Sequence, residues 1–249
     1  MFYDSWIMLK RCLTISFRNP ESILMAIIVP ALMMLLFGGV FGNIVDIGEY
    51  NYIDFIVPGI ILHSIAQGSI FTAISVNVDM TKGMVDRFRS MSISRASVLV
   101  GHAGASVVRT AISTAITIGA AMVIGFRPQA GLVSWLIIAG ILIMYITAIA
   151  WVAIFCGVVM KSAESASSIM NIFVILPFVS SGFVPTETMP TALRIFAENQ
   201  PMTPIVDSLR GFMLGLPQDR SLPIAIIWCV GIIVAAFVGA VQIYKRKVS

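Results

Sequence analysis

The chain has 249 residues, 58% of them hydrophobic and only 11% charged, with a mean hydropathy of +0.97. Soluble domains carry roughly 25% charged residues, so this composition excludes a water-soluble fold and leaves a polytopic membrane protein. A formal net charge of +4 would suggest nucleic acid in a soluble chain, but the Lys and Arg residues lie mostly at the ends of apolar runs, where topology and anionic lipid account for them, so no nucleic acid is expected.

Residues 2–18 are too polar to span a bilayer. Phe2, Trp6, Leu9, Leu13 and Phe17 share one helical face and Asp4, Arg11 and Arg18 the opposite one. That pattern predicts an amphipathic helix in the interface, with Lys10, Arg11 and Arg18 toward inner-leaflet phosphates. It lacks the short apolar core and small-residue cleavage site of a removable signal peptide. The first span is predicted over 22–42, with a kink at Pro30. Gly38 and Gly42 form a small-xxx-small pair that would let another helix approach closely. Residues 43–52 hold Asp46 and Glu49 but no Lys or Arg and are expected outside. The second span covers 53–78, and Pro58-Gly59 suggests that its regular helix begins or bends there. His63 and Gln67 share a face of this span that must meet protein or water, since polar groups in lipid are costly. They either line a substrate path or hydrogen-bond between helices.

A charged island, DMTKGMVDRFRSMSISRAS, occupies 79–97. Lys82, Arg87, Arg89 and Arg95 outnumber Asp79 and Asp86 there, which places the loop in the cytoplasm. Met84, Phe88 and Met91 recur at helical spacing, so a short amphipathic helix is predicted. It either lies against a polar partner or is a solvated connector that sets topology. The third span covers 98–125, with Arg109 expected a few residues inside the inner boundary, where it would snorkel; an Arg facing an internal cavity is the alternative. Arg127 sits in a tight outer turn. The fourth span, 131–160, returns to Lys161 and Glu164 inside, and the fifth, 165–183, contains Asn171 and Pro177.

The next stretch, ending in VPTETMPTALRIFAENQPMTPIVDSLRG, is too long for a turn and too interrupted by Pro185, Pro190, Pro201 and Pro204 to span. Two short re-entrant helices are predicted: one after Pro190 showing Leu193, Phe196 and Ala197, and one with Thr203 as N-cap and Pro204 at the first position. The sixth span, 222–244, is stopped by Lys245, Arg246 and Lys247. The expected fold is therefore an all-α membrane protein of six transmembrane helices in a single domain over 1–249, with both termini in the cytoplasm and the chain in the inner (cytoplasmic) membrane.

Catalytic signatures are absent from the sequence. It has no Gly-x4-Gly-Lys-Ser/Thr phosphate loop, no HExxH and no GxSxG. Cys12, Cys156 and Cys229 show neither a disulfide framework nor metal spacing, and His63 and His102 are too separated for zinc. Asp54 and Asp79 lie near span ends, leaving no central carboxylate for a proton-driven carrier. The chain is not expected to be an enzyme, and energy must come from elsewhere.

Four stretches carry a resemblance to a known family: the N-terminal amphipathic segment leading to NPES, the FIVPGI opening of span two, KGMVDRFRSMSISRASVLVGH, and the proline-rich stretch before the last span. Together they resemble the ABC-2 type permeases, membrane subunits of ATP-driven exporters, in the pattern of daunorubicin and multidrug-resistance permeases. In that family the loop between spans two and three is a coupling helix written Gly-Thr-x-Glu-x-Leu followed by Pro-(Ile/Leu)-Ser. Gly83 and Ile93-Ser94 match it, while Met84, Asp86, Phe88 and Ser92 stand in for Thr, Glu, Leu and Pro.

The resemblance implies contact with an ATPase through Lys82, Gly83, Asp86, Arg87, Phe88, Arg89 and Ser92. It implies two ATPase copies that bind ATP and Mg, a second permease copy as homodimer or related partner, and surrounding lipid. The cargo expected is a lipophilic or amphipathic drug, antibiotic or lipid-like molecule. An exporter of a polysaccharide or lipid-linked glycan, or a non-transporting scaffold, is the alternative. His63, Gln67, Asn171, Phe173 and Phe178 are the candidate path residues, mixing apolar surface with a few polar anchors. Pro190, Phe196, Pro201, Pro204, Asp207 and Arg210 would lie at the outer mouth.

Overall fold

In hydrocarbon every backbone polar group must be satisfied within the protein, so apolar runs of this length fold as helices. The computed structural model describes residues 2–17, 20–41, 51–81, 95–217 and 220–248, and no strand occurs among them. In chain order the helices are α1 (Phe2–Phe17), α2 (Pro20–Phe41), α3 (Tyr52–Thr81), α4 (Arg95–Ile124), α5 (Leu132–Val159), α6 (Ala163–Ile175), α7 (Thr191–Asn199), α8 (Met202–Leu214) and α9 (Ser221–Val248). Short 3-10 turns occupy Leu176–Val179 and Thr186–Thr188. Four of the helices, α3, α4, α5 and α9, are long and apolar enough to cross a membrane.

The core lies between α3 and α5, and α2, α4 and α6 pack on α3 while α9 packs on α5. Ile56, Ile60, Ile61, Leu62 and Ile65 of α3 meet Tyr145, Ile146 and Ile149 of α5 with almost no exposed surface. Gly157 makes the close approach possible: a Cβ there would lie 2.6 Å from the Ala73 carbonyl oxygen. The last carbonyls of α5 have no partner within their own helix. Asn77 Nδ2 donates to Met160 O at 2.7 Å and Gly157 O at 3.1 Å, and Lys247 Nζ donates to Val158 O at 2.7 Å. The C-terminal ends of α3, α5 and α9 thus share one end of the molecule, the basic end. At the opposite end the Arg127 backbone N–H donates to Asp54 Oδ1 at 3.0 Å and that of Gln129 to Met213 O at 2.8 Å.

Several local expectations change. Helices α2 and α3 are continuous through Pro30 and Pro58, so α3 begins at Tyr52 and not at Pro58-Gly59. The fifth predicted span is shorter than 165–183: α6 has 13 residues, about 20 Å, and gives way at Pro177 to a 3-10 turn. Thr203 is not an N-cap. Pro201 holds that position, and the Thr203 hydroxyl donates to Ala197 O at 2.6 Å instead, tying α8 to α7. Gly38 is half-buried and packs within the chain, a Cβ there lying 2.8 Å from Ile53 Cγ1. Gly42 lies outside the described residues.

Candidate functional site

At the basic end, Asp79 in the last turn of α3 gathers two other helices. Its carboxylate accepts from Arg11 Nη1 at 3.1 Å and Nη2 at 3.3 Å, and from His102 Nε2–H at 3.0 Å. His102 Nδ1 lies 3.7 Å from Cys12 Sγ. Arg11 and Cys12 come from α1 and His102 from α4. Helix α1 can lie so close because α4 presents Gly101 and Gly104: a Cβ on the first would be 2.5 Å from Met8 Cβ, and one on the second 2.8 Å from Leu9 Cδ1. The expected orientation of α1 is corrected by this seat. Met8 and Cys12 are buried, Trp6 is 64% exposed, and Arg11 is held by Asp79 rather than turned to lipid phosphate. The face that α1 buries is chosen by glycines and a carboxylate far away in the chain, which the periodicity of α1 alone does not contain.

The predicted coupling residues Lys82, Gly83, Asp86, Arg87, Phe88, Arg89 and Ser92 lie outside the described residues. What the structure places is their frame: Asp79 just before that stretch and His102 shortly after it, joined to one another and to α1.

At the end opposite the basic one the chain folds back on α3. A Cβ on Gly59 would lie 2.6 Å from the Gly182 carbonyl oxygen, so backbone rests directly on helix there. Arg210 of α8 closes this contact. Its guanidinium donates to Phe55 O at 3.2 Å, to Ser181 O and to Asp207 Oδ1 at 3.0 Å, and lies 3.8 Å above the Phe55 ring. Ser181 Oγ donates to the same carboxylate at 2.6 Å. Arg210 is only 11% exposed against 39% for Asp207, so the cation is the buried partner. Burial lowers the Arg210 pKa to about 10, which leaves it charged at neutral pH. Gln200 Nε2 donates to Val179 O at 2.7 Å and closes the 3-10 turn. Pro190 is the N-cap of α7 and Pro201 that of α8, whereas Pro204 is buried within α8 and Phe196 is exposed on α7. The structure therefore unites Asp207 with Arg210, and leaves Pro190 and Phe196 on the surface.

The candidate path residues divide. His63 is buried, its Nδ1–H donating to Val174 O of α6 at 3.0 Å while its ring meets Phe178 edge-on at 5.1 Å. This is an interhelical stitch. Phe178 also stacks on Phe183 at 4.5 Å, and Phe37 of α2 joins them at 5.2 Å from Phe183. Gln67 and Asn171 are exposed on α3 and α6, and Phe173 is half-buried. Arg109 does not snorkel toward the basic end. It lies at the middle of α4 and reaches sideways, Nη2 donating to Gly68 O at 2.8 Å and Thr72 Oγ1 at 3.0 Å.

Residues 3–214, from α1 to the end of α8, match the family described as ABC-2 type transporter. The chain belongs to the ABC-2 type transporter family. Among curated relatives of this ABC-2 type chain, the "Probable doxorubicin resistance ABC transporter permease protein DrrC" of Mycobacterium tuberculosis, in strains CDC 1551 / Oshkosh and H37Rv, is 30% identical over 244 residues, covering 95% of this chain and 86% of the relative. The "Daunorubicin resistance ABC transporter permease protein DrrB1" of Streptomyces coeruleorubidus is 26% identical over 227 residues, 90% of this chain and 77% of its own length. The matched residues include those of the Asp79 joint and of the Arg210 lock. With its apolar helices, the family makes the chain a multi-pass membrane protein.

Proposed function

We propose that this ABC-2 type transporter is the permease subunit of a drug exporter, moving a lipophilic or amphipathic molecule outward across the cytoplasmic membrane with ATP hydrolysed on a separate subunit. The observation that carries the reading is similarity over most of the chain to relatives named as daunorubicin and doxorubicin resistance permeases. The geometry supports it. The charged stretch 82–94 is bracketed by Asp79 and His102, which are tied to α1, so a push on that stretch would reach α1, α3 and α4 together.

In this reading α2 and α6, with the 3-10 turn that extends α6, complete six spans beside the four longer helices. The basic end faces the cytoplasm with both termini, as the Lys and Arg distribution favours. Two permeases rest on two ATPase copies, which bind ATP and Mg. The folded-back α7–α8 segment lies at the outer mouth.

The test is co-expression with a phosphate-loop ATPase sought in the neighbouring reading frames. The pair is expected to co-purify, to show ATPase activity that amphipathic drugs stimulate, and to lower doxorubicin accumulation in cells. A permease that brings down no nucleotide-hydrolysing protein and leaves accumulation unchanged would overturn the reading in favour of a scaffold.

A further inference from the structure

The middle of α4 holds a cation for which the described residues supply no carboxylate. Arg109 forms no ion pair, and only its Nη2 is hydrogen-bonded, to Gly68 O and Thr72 Oγ1. Its Nε and Nη1 have no acceptor among the described residues, and its guanidinium lies 4.6 Å from the centre of the Phe71 ring. Beside it, Thr110 Oγ1 is buried and without a hydrogen-bond partner. That hydroxyl opens toward the same glycine, since a Cβ on Gly68 would lie 3.8 Å from it. Gln67, one turn from Phe71 on the same face of α3, is exposed.

Joining α3 to α4 does not require this charge. Thr72 Oγ1 already donates to Ser106 Oγ at 2.8 Å across the seam, and a neutral donor would serve the Gly68 carbonyl equally well. A guanidinium at mid-membrane with free donors is instead suited to bind what it lacks, an anion, and such charges mark ligand pathways when they face a cavity. Val108, Ile112 and Ile116 continue along α4 as exposed apolar surface.

We propose that Arg109, with the Thr110 hydroxyl and the Gln67 amide beside it, binds the carboxylate or phosphate head of an amphipathic molecule whose tail lies along the apolar face of α4. This deepens the exporter reading by giving the ligand a charge, and rests on it for the ligand's fate but not for its binding. The head group belongs either to a bilayer phospholipid or to the exported amphiphile; both offer the same chemistry.

The test titrates the full-length permease, in phosphatidylcholine nanodiscs, with the fluorescent fatty acid cis-parinaric acid and with its methyl ester. Saturable binding about tenfold tighter for the acid is expected in the wild type, the size of one charge-assisted contact. Arg109→Gln should abolish that preference, and Arg109→Lys should retain part of it, keeping the charge but not the fork. Should Arg109→Gln not fold, Thr110→Val, which leaves the cation in place, is expected to narrow the preference. No acid preference in the wild type, an undiminished one in Arg109→Gln, or, where that variant does not fold, an undiminished one in Thr110→Val would overturn the site. Replacing part of the phosphatidylcholine by phosphatidylglycerol separates the sources. Weakened probe binding assigns the site to lipid, and unchanged binding with ATP-driven release from the permease–ATPase complex assigns it to cargo. The titration needs no ATPase, so its failure leaves the exporter reading standing, and failure to capture an ATPase leaves the site standing.

Discussion

The two ends of the molecule each set an arginine against an aspartate, yet the two cations do different work. At the basic end one carboxylate, Asp79, receives Arg11 and His102 from two other helices, all through side chains. At the opposite end one guanidinium, Arg210, serves a carboxylate and two backbone carbonyls at once, with an aromatic ring against it. Separating the first joint exposes side chains that water can solvate. Opening the second takes the donor from the buried Ser181 carbonyl and leaves a guanidinium only 11% exposed without its partners, which is the more expensive loss. The basic end is therefore built to be rearranged, and the opposite end to stay shut around its own backbone.

The largest expected effect follows from that asymmetry. Arg210→Gln should lower stability by about 3–5 kcal/mol, the range for removing one partner of a buried ionic contact. It would be read as a fall in the unfolding midpoint of detergent-solubilised protein and in membrane abundance. Arg210→Lys should rescue little, because an ammonium cannot span Asp207, Ser181 and Phe55 together. An Arg210→Gln protein as stable as the wild type would break the comparison. Asp79→Asn should cost less, about 1–3 kcal/mol, leaving a folded permease whose ATP hydrolysis and drug export are poorly matched. In a double-mutant cycle Arg11→Gln and Asp79→Asn should be less than additive, since each removes the same pair. Full additivity would show that Arg11 and Asp79 do not act on one another.

Much of this architecture was legible in the sequence, and the parts that were not share a physical cause. Apolar length located α2, α3, α4 and α5 to within a few residues, because a lipid-facing backbone has no alternative to helix, but it overran the end of α6. The proline-rich stretch announced two short helices where α7 and α8 occur. Pairings between distant positions were invisible. Asp79 read as a charge at a span end and His102 as a lone histidine, although they meet at 3.0 Å. Nothing local encodes a hydrogen bond across that separation; the only hint is that both flank the charged stretch. The reach of Arg109 across to Gly68 and Thr72 of α3 is likewise absent from the apolar run that contains it. His63 and Gln67 share a face in a helical projection, yet one is buried against α6 and the other exposed, a division that the spacing of the two residues does not encode.

That last pair sharpens the comparison at mid-membrane. His63→Ala removes the donor to Val174 O and should lower stability by about 1–3 kcal/mol, seen as reduced abundance with the drug profile of the surviving protein unchanged. Gln67→Ala touches an exposed side chain and should alter stability by no more than about 0.5 kcal/mol while shifting which compounds are exported. A Gln67→Ala permease with normal abundance and an unchanged profile for every compound tested would remove Gln67 from the path.

The smallest effect on stability is expected where the effect on function should be complete. Reversing the charges of Asp86, Arg87 and Arg89 together should change stability by about 1 kcal/mol or less, as for charges in a solvated loop, and so leave helicity and abundance intact. Export should nonetheless stop while the ATPase subunit still hydrolyses ATP, because the stretch between Asp79 and His102 is where a push from that subunit would enter. Comparing this variant with Asp79→Asn separates contact from transmission. If the loop is the contact and Asp79 the relay, the triple variant loses ATPase co-purification, whereas Asp79→Asn keeps it and loses only the coupling of hydrolysis to transport. Loss of co-purification in both would make Asp79 part of the docking surface. Normal export in the triple variant would take the docking role away from 82–94 altogether.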